Sequence, residues 1–263
     1  MDDPGPGADD FPVTRRTIER LDEWLTALAS PLLPLQQIPA GPAGVGGFQW
    51  AFREQTERAL LVGKAVRMIS GIRAALILAD MGYVAECGTI LRTVSDFANE
   101  IISVCEGCIR GAATTAQRRF VQQYFAPIAT TPDEYDQQER ERWVTRDELL
   151  AAHCRWAAET PEDPNHVRKV LRFLAYGYDK FVHGAYITAM ELYSGRTHAF
   201  MLRGHESEDT RRGYKAAVAG KLHEAVSAIE VMATVAGMPA LVSNIHSARM
   251  ELYNSNEESS AWS

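Results

Sequence analysis

From Phe48 to Ile109, apolar residues recur every three or four positions with one break, at Gly82. That spacing predicts two long helices rather than strands. In the first, Phe48–Met81, a stripe of Phe52, Ala59, Val62, Val66 and Ile69 is widened by Leu61, Ala65, Met68, Ile72 and Leu76. In the second, Tyr83–Ile109, the series is Cys87, Ile90, Leu91, Val94, Ala98, Ile101, Cys105 and Cys108. Two helices joined this closely must fold back as an antiparallel hairpin. A stripe as wide as the first needs more than one neighbouring helix to cover it. The chain is therefore expected to build a helical bundle.

The rest of the sequence supplies the neighbours. Thr14 is placed as the cap of a helix reaching Ser30, with Ile18, Leu21, Leu25 and Leu28 inward. Residues 31–47 are rich in Pro and Gly and read as a linker. A short helix is expected over Thr115–Phe125, stopped by Pro127, with polar TTPDEYDQQERER as a surface loop after it. Thr145 and Glu148 form a capping box for a helix ending near Ala158. Arg168–Gly195 reads as one central helix with Val167, Leu171, Leu174, Tyr178, Phe181, Ala185, Ala189 and Leu192 on one face. Arg196–His205 is the one segment with extended character. Helices Ser207–Ala236 and Pro239–Tyr253 complete the chain, divided by Gly237. The expected fold is all-α: an antiparallel helical bundle with a core of four long helices plus shorter peripheral helices. Residues 13–253 are one helical domain, and 1–12 and 254–263 are expected to be disordered.

Charge narrows the partners. A formal net charge of −7 argues against a protein built mainly to bind nucleic-acid backbone. A local basic patch from Arg118, Arg119, Arg168, Lys169 and Arg172 remains compatible with it. The start, MDDPGPGADDFP, lacks the basic and apolar regions of a signal peptide. The longest apolar run, Ala74–Ala79, is too short to span a bilayer. A cytoplasmic protein without membrane contact is expected, with Cys87, Cys105, Cys108 and Cys154 as reduced thiols.

Three groupings could carry chemistry. Asp179 and His183 are one helical turn apart, with Tyr176 and Lys180 beside them. A carboxylate that fixes one imidazole nitrogen leaves the other as a base; the same pair equally satisfies a half-buried histidine. Arg92 and Asp96, continued by Asn99 and Ser103, form a polar strip on the second helix of the hairpin. It is either a solvated face or a strip inside the bundle, and in the second case Arg92 needs an acid such as Asp179. Cys105-Glu-Gly-Cys108 has zinc-ligand spacing, which His153 and Cys154 would complete. Both cysteines also continue an apolar stripe, as buried thiols do. The other histidines show no metal spacing. GPAGVGG lacks the phosphate-loop pattern, and GxSxG and HExxH are missing. No cofactor and no metal is expected.

ILRTVSDFANEI and YGYDKFVHGAY resemble two segments of a broad family of helical bacterial proteins of unknown function, DUF5677-like. The resemblance covers about residues 50–235. Arg92, His183 and Gly184 match that family's pattern, while Asp96 stands where it usually has Glu and Asp179 where it usually has Ser. That family in turn resembles HEPN-like helical folds, some of which are ribonucleases of toxin–antitoxin and phage-defence systems. Their Arg, four to six residues and His pattern would need Arg at 176, 177 or 178; this chain has Tyr176, Gly177 and Tyr178.

Two functions follow as expectations. The resemblance implies a HEPN-like protein of a bacterial defence or stress system, acting on RNA as a metal-independent ribonuclease. His183 would then be general acid or base oriented by Asp179, and Arg92, with Lys180, Tyr176 and Asp96, would hold the substrate. A cognate antitoxin or regulatory protein would be its partner. In the alternative, the protein is a non-catalytic helical binding or regulatory module, and the same polar residues lock two helices together. Phe48, Trp50 and Phe52 crowd the start of a wide apolar face. A homodimer is the expected cover for it, with residues 13–30 folding back as the other solution.

Overall fold

The computed structural model describes residues 11–39, 48–126, 131–134, 136, 143–157, 163–184, 186–194 and 196–255. Its helices are α1 (Pro12–Ala29), α2 (Glu57–Asp80), α3 (Val84–Ile109), α4 (Thr115–Tyr124), α5 (Arg146–Ala157), α6 (Pro164–Val182), α7 (Tyr186–Met190), α8 (Glu208–Val235) and α9 (Pro239–Ser255). The strands are β1 (Gln36–Pro39) with β2 (Phe48–Ala51), and β3 (Tyr193–Ser194) with β4 (Ala199–Phe200), each pair antiparallel. The fold is all-α, an antiparallel helical bundle, as the periodicity requires.

The hairpin of α2 and α3 forms at Gly82. Its φ is +79°, and an added Cβ would come within 2.5 Å of the His205 backbone. The His205 N–H donates to the Gly82 carbonyl at 2.7 Å. Glycine is needed there both for the left-handed backbone and for the close approach of a second chain segment. Between the two helices, Gly71 leaves room for Val94, whose Cγ2 would lie 2.8 Å from an added Cβ.

One buried cluster runs through α1, α2, α3, α8 and α9. Leu21, Leu60, Met68, Ile72, Leu91, Ile101, Leu222, Ile229 and Ile245 are fully buried in it. Each such side chain contributes about 1.5–3 kcal/mol relative to exposure. Most of the wide face of α2 is thus covered within the chain, where α1 inserts Ile18, Leu21, Trp24 and Leu28, but Val66, expected on the buried stripe, is 47% exposed.

Several boundaries differ from the sequence expectation. α2 starts at Glu57, not at Phe48. Thr56 is extended, and its hydroxyl accepts from the Ala59 N–H at 3.3 Å; this cap stops the helix from reaching further back. Phe48–Ala51 instead pairs as β2 with Gln36–Pro39, so part of the segment read as a linker is a strand. Short aromatic runs suit either element, and a pairing partner decides. α1 starts at Pro12, whose ring pre-sets the helical φ; Thr14 is buried inside the helix and is not its cap. The helix expected over Arg168–Gly195 stops at Val182. Gly184 takes φ +57°, and its N–H donates to the Phe181 carbonyl at 3.2 Å. The short α7 and the β3–β4 pair follow.

The expected central helix also sits elsewhere. α6 packs on α3 beside α5 and contributes no residue to the buried cluster, although half-buried Tyr178 lies against it. The Phe181 ring rests on Gly88, where an added Cβ would lie 2.6 Å from the ring. Expectations for residues 1–10, the GPAGVGG run, Pro127, most of residues 130–142, Ala158, Ala185, Gly195, the tail from 256, and the side chains of His153 and Leu174 lie outside the described residues. No described helix is long and apolar enough to cross a membrane.

Candidate functional site

The polar strip of α3 organises the candidate site. Arg92, Ser95, Asp96, Asn99, Ser103 and Glu106 recur at steps of three and four, so they share one side of the helix. In isolation such a strip reads as a solvated face. Here α5 and α6 cover it, and Ser95, Ser103 and Glu106 are buried. Each knot along it must therefore find its own partners.

Arg92 forms the first knot. Its Nε donates to Asp179 Oδ1 of α6 at 2.5 Å, and its Nη1 pairs with Asp96. Its side chain is 13% exposed. Burial alone would lower the guanidinium pKa, but the hydrogen bonds to Asp96 and Asp179 outweigh it and raise it. Arg146, at the start of α5, reaches Asp96 at 3.7 Å. Its pKa is lowered by burial and then by the charge of Arg92. Two guanidiniums and two carboxylates cancel in formal charge. A small cavity of about 180 Å³ lies beside them, walled by Asn99, Glu100, Phe120 and Leu150 among others.

A second knot ties α3 to α8. Ser95 donates to Glu224 Oε2 at 2.8 Å, and Lys221 Nζ pairs with Glu224 Oε1 at 2.5 Å. The Lys221 ammonium also lies 4.7 Å from the centre of the Tyr178 ring of α6. Burial raises the Tyr178 phenol pKa, with a further push from Glu224. The third knot is Glu106, which is 1% exposed. It accepts from Arg155 Nε at 2.7 Å and from Gln117 Nε2 at 2.8 Å, and pairs with Arg110 at 2.6 Å. It thereby joins α3 to α4 and α5. Across the bundle, the Lys64 ammonium sits 2.8 Å from Glu100 and between the rings of Phe97, Phe120 and Tyr124.

Of the sequence-derived site residues, Arg92, Asp96 and Asp179 come together. His183 does not join them through its ring. It is the C-terminal cap of α6, its backbone N–H donates to the Asp179 carbonyl at 3.0 Å, and its side chain is exposed. The Asp179 carboxylate meets Arg92. Lys180 and Tyr176 meet each other, the ammonium 4.3 Å from the ring centre. Tyr176 is 58% exposed.

Arg146, Lys221, Glu224 and Tyr178 belong to the polar network and were not singled out from the sequence. Arg146 and Tyr178 come from other elements than α3, and although Lys221 and Glu224 are three apart on α8, no local spacing ties that pair to Ser95 or Tyr178. Ser95 and Glu106 had a signal, because both continue the step of the Arg92 strip. Among the described residues no group of three His, Cys, Asp or Glu side chains converges as a metal site. Cys105 is buried and Cys108 exposed, so the two point into different surroundings. The chain matches no family model, no curated protein and no solved structure.

Proposed function

We propose that this protein is a non-catalytic helical binding module, in which Arg92, Asp96 and Asp179 lock α6 against α3 and α6 presents its outer face to a partner. The observation that carries this reading is the Arg92–Asp179 bond. A residue that held a substrate phosphate would need free donors and unbalanced positive charge. The charge of Arg92 is instead spent on two carboxylates of its own chain.

A second copy of the chain is the partner we assign to the outer face. Val170, Phe173 and Tyr176 stand exposed along α6, and Phe173 is 73% exposed. Gly177 lies four residues from Phe173 on α6 and Gly184 just past its end, and neither has an atom within 4 Å of an added Cβ. Aromatic knobs next to bare backbone suit an isologous two-fold contact, each Phe173 settling near the glycines of the other copy.

Exposed His183 favours a second reading, the HEPN-like metal-independent ribonuclease of a defence system. Its ring lies at the end of α6, about one turn from Lys180, where a substrate could reach it. One pair of variants separates the two. In the lock reading, Arg92→Ala lowers stability by about 2–3 kcal/mol, less than a fully buried pair would lose, because Asp179 is partly exposed. His183→Ala leaves the urea midpoint unchanged, and neither wild type nor variant cleaves RNA. Cleavage of RNA by the wild type that His183→Ala abolishes would reverse the conclusion.

A further inference from the structure

The cavity of about 180 Å³ beside the Arg92 lock has a lining of two kinds. α3 brings Asp96, Asn99 and Glu100 to it, while Phe120 of α4, Val144 and Leu149 of α5 are apolar. A wholly apolar space of about 150 Å³ admits a benzene ring. The volume here therefore suits a small ring or short branched chain with a polar head. Water would satisfy the α3 groups but would gain nothing from the apolar side.

The lining also holds polar groups with unused hydrogen bonds. Arg146 Nε is shielded from solvent and has no hydrogen-bond partner among the described residues. It stands 3.7 Å from Asp96 Oδ1, beyond hydrogen-bond reach. Half-buried Asn99 makes no hydrogen bond to another described residue, so its amide offers both a donor and an acceptor. The charges, in contrast, are balanced. Arg92 and Arg146 face Asp96 and Asp179, and Glu100 faces Lys64 at 2.8 Å. The next pairs out are closed as well, Arg119 with Glu148 at 3.0 Å and Arg172 Nε with Asp147 at 3.0 Å. A charged guest would bring an unbalanced charge into a half-buried site. A neutral guest with one donor and one acceptor would not.

We propose that this cavity binds a small neutral molecule, a primary carboxamide on a compact apolar body. The carboxamide carbonyl accepts from Arg146 Nε, and its NH2 donates to the side-chain carbonyl of Asn99. The body lies against Phe120, Val144 and Leu149. The ligand thereby bridges α3 and α5 beside the lock. This inference does not rest on a second copy at the outer face of α6, because the lining comes from α3, α4, α5 and Val144.

The test titrates the full chain with benzamide, benzoate and benzamidine, three probes of one shape that are neutral, anionic and cationic. Saturation-transfer NMR on the probe reports binding, and the melting temperature reports stabilisation. Benzamide is expected to bind saturably and to raise the melting temperature, with benzoate and benzamidine doing neither at the same concentration. Asn99→Leu keeps the side-chain size and removes the amide, and weakens benzamide binding about tenfold, the scale of one or two hydrogen bonds. Val144→Trp fills the cavity from its edge and abolishes binding. Benzoate or benzamidine binding as tightly as benzamide overturns the carboxamide assignment. No binding of any probe, or benzamide binding that survives Val144→Trp, overturns the site and leaves the space to water. If Val144→Trp does not fold, Asn99→Leu decides alone, and an unchanged benzamide affinity overturns the site. A monomer in light scattering would remove the second copy and leave each of these outcomes as it stands.

Discussion

Among single residues, Glu106 carries the sharpest consequence. Burial would raise its pKa, but Arg155, Gln117 and Arg110 outweigh burial and hold it below the ordinary 4.5. A carboxylate with a depressed folded value binds its proton first in the unfolded chain. Its contribution is therefore complete above pH 4.5 and is lost as the pH falls through the folded value. Wild type is expected to be more stable than Glu106→Gln at pH 7, with the gap narrowing below pH 4.5; urea midpoints at pH 7, 5 and 3 measure it. A gap that does not change with pH would mean that the ionised carboxylate is not what ties α4 and α5 to α3. Glu100 has the opposite sign. Burial raises its pKa, Lys64 pulls it back in part, and Asp96 adds to the rise. Its contribution is complete below its ordinary value and is lost as the pH rises through the raised folded value, because over that range the folded chain holds the proton longer. Neither effect shows in the sequence, where both are ordinary glutamates on a helix.

For α6, the question is how an element outside the buried cluster stays attached. It has the Arg92–Asp179 bond at one level and Phe181 on Gly88 at another. Phe181 also stacks edge-on with Tyr214 of α8, at 6.1 Å between centres. Gly88→Val would drive the ring away and is expected to cost about 1–3 kcal/mol. Hydrogen exchange should show the loss as faster opening of α6 amides, with the α2, α3 and α8 amides still protected. Unchanged α6 protection would show that Phe181 is not its anchor. The apolar period of this helix was legible in the sequence. Its end was not, because Gly184 interrupts the period only through a left-handed φ, and YGYDKFVHGAY continues it on paper. The Asp179–His183 spacing was legible as well. The carboxylate went to Arg92 because a guanidinium 13% exposed must have an acid, whereas an exposed imidazole has water.

At the scale of the whole molecule, what matters is which apolar faces are covered. α1 covers most of the face of α2 within one chain, so the crowding of Phe48, Trp50 and Phe52 does not by itself call for a second copy. One apolar face open among the described residues is formed by Val170, Phe173 and Tyr176 along α6. A homodimer built on it gives twice the chain mass of 29.1 kDa in light scattering at micromolar concentration. Phe173→Asp is expected to return the monomer without lowering the unfolding midpoint, because Phe173 is exposed within one chain. A monomeric wild type would remove the second copy from the proposal.

The sequence by itself determined that this chain is a helical bundle. Apolar residues at steps of three and four across α2, α3 and α8 leave no other way to hide that surface, and Gly82 and Gly237 mark two of the turns. It also determined that Arg92 and Asp96 share one side of α3, since the helical repeat is local. Tertiary structure alone decided what meets that side. Asp179 lies 87 positions from Arg92, and Glu224 lies 129 from Ser95. No periodicity encodes such pairings; they follow from which helices pack against α3 and from the cost of leaving a buried charge alone. The same holds for the cavity beside the lock, formed where α3, α4 and α5 meet, none of which predicts the space between them.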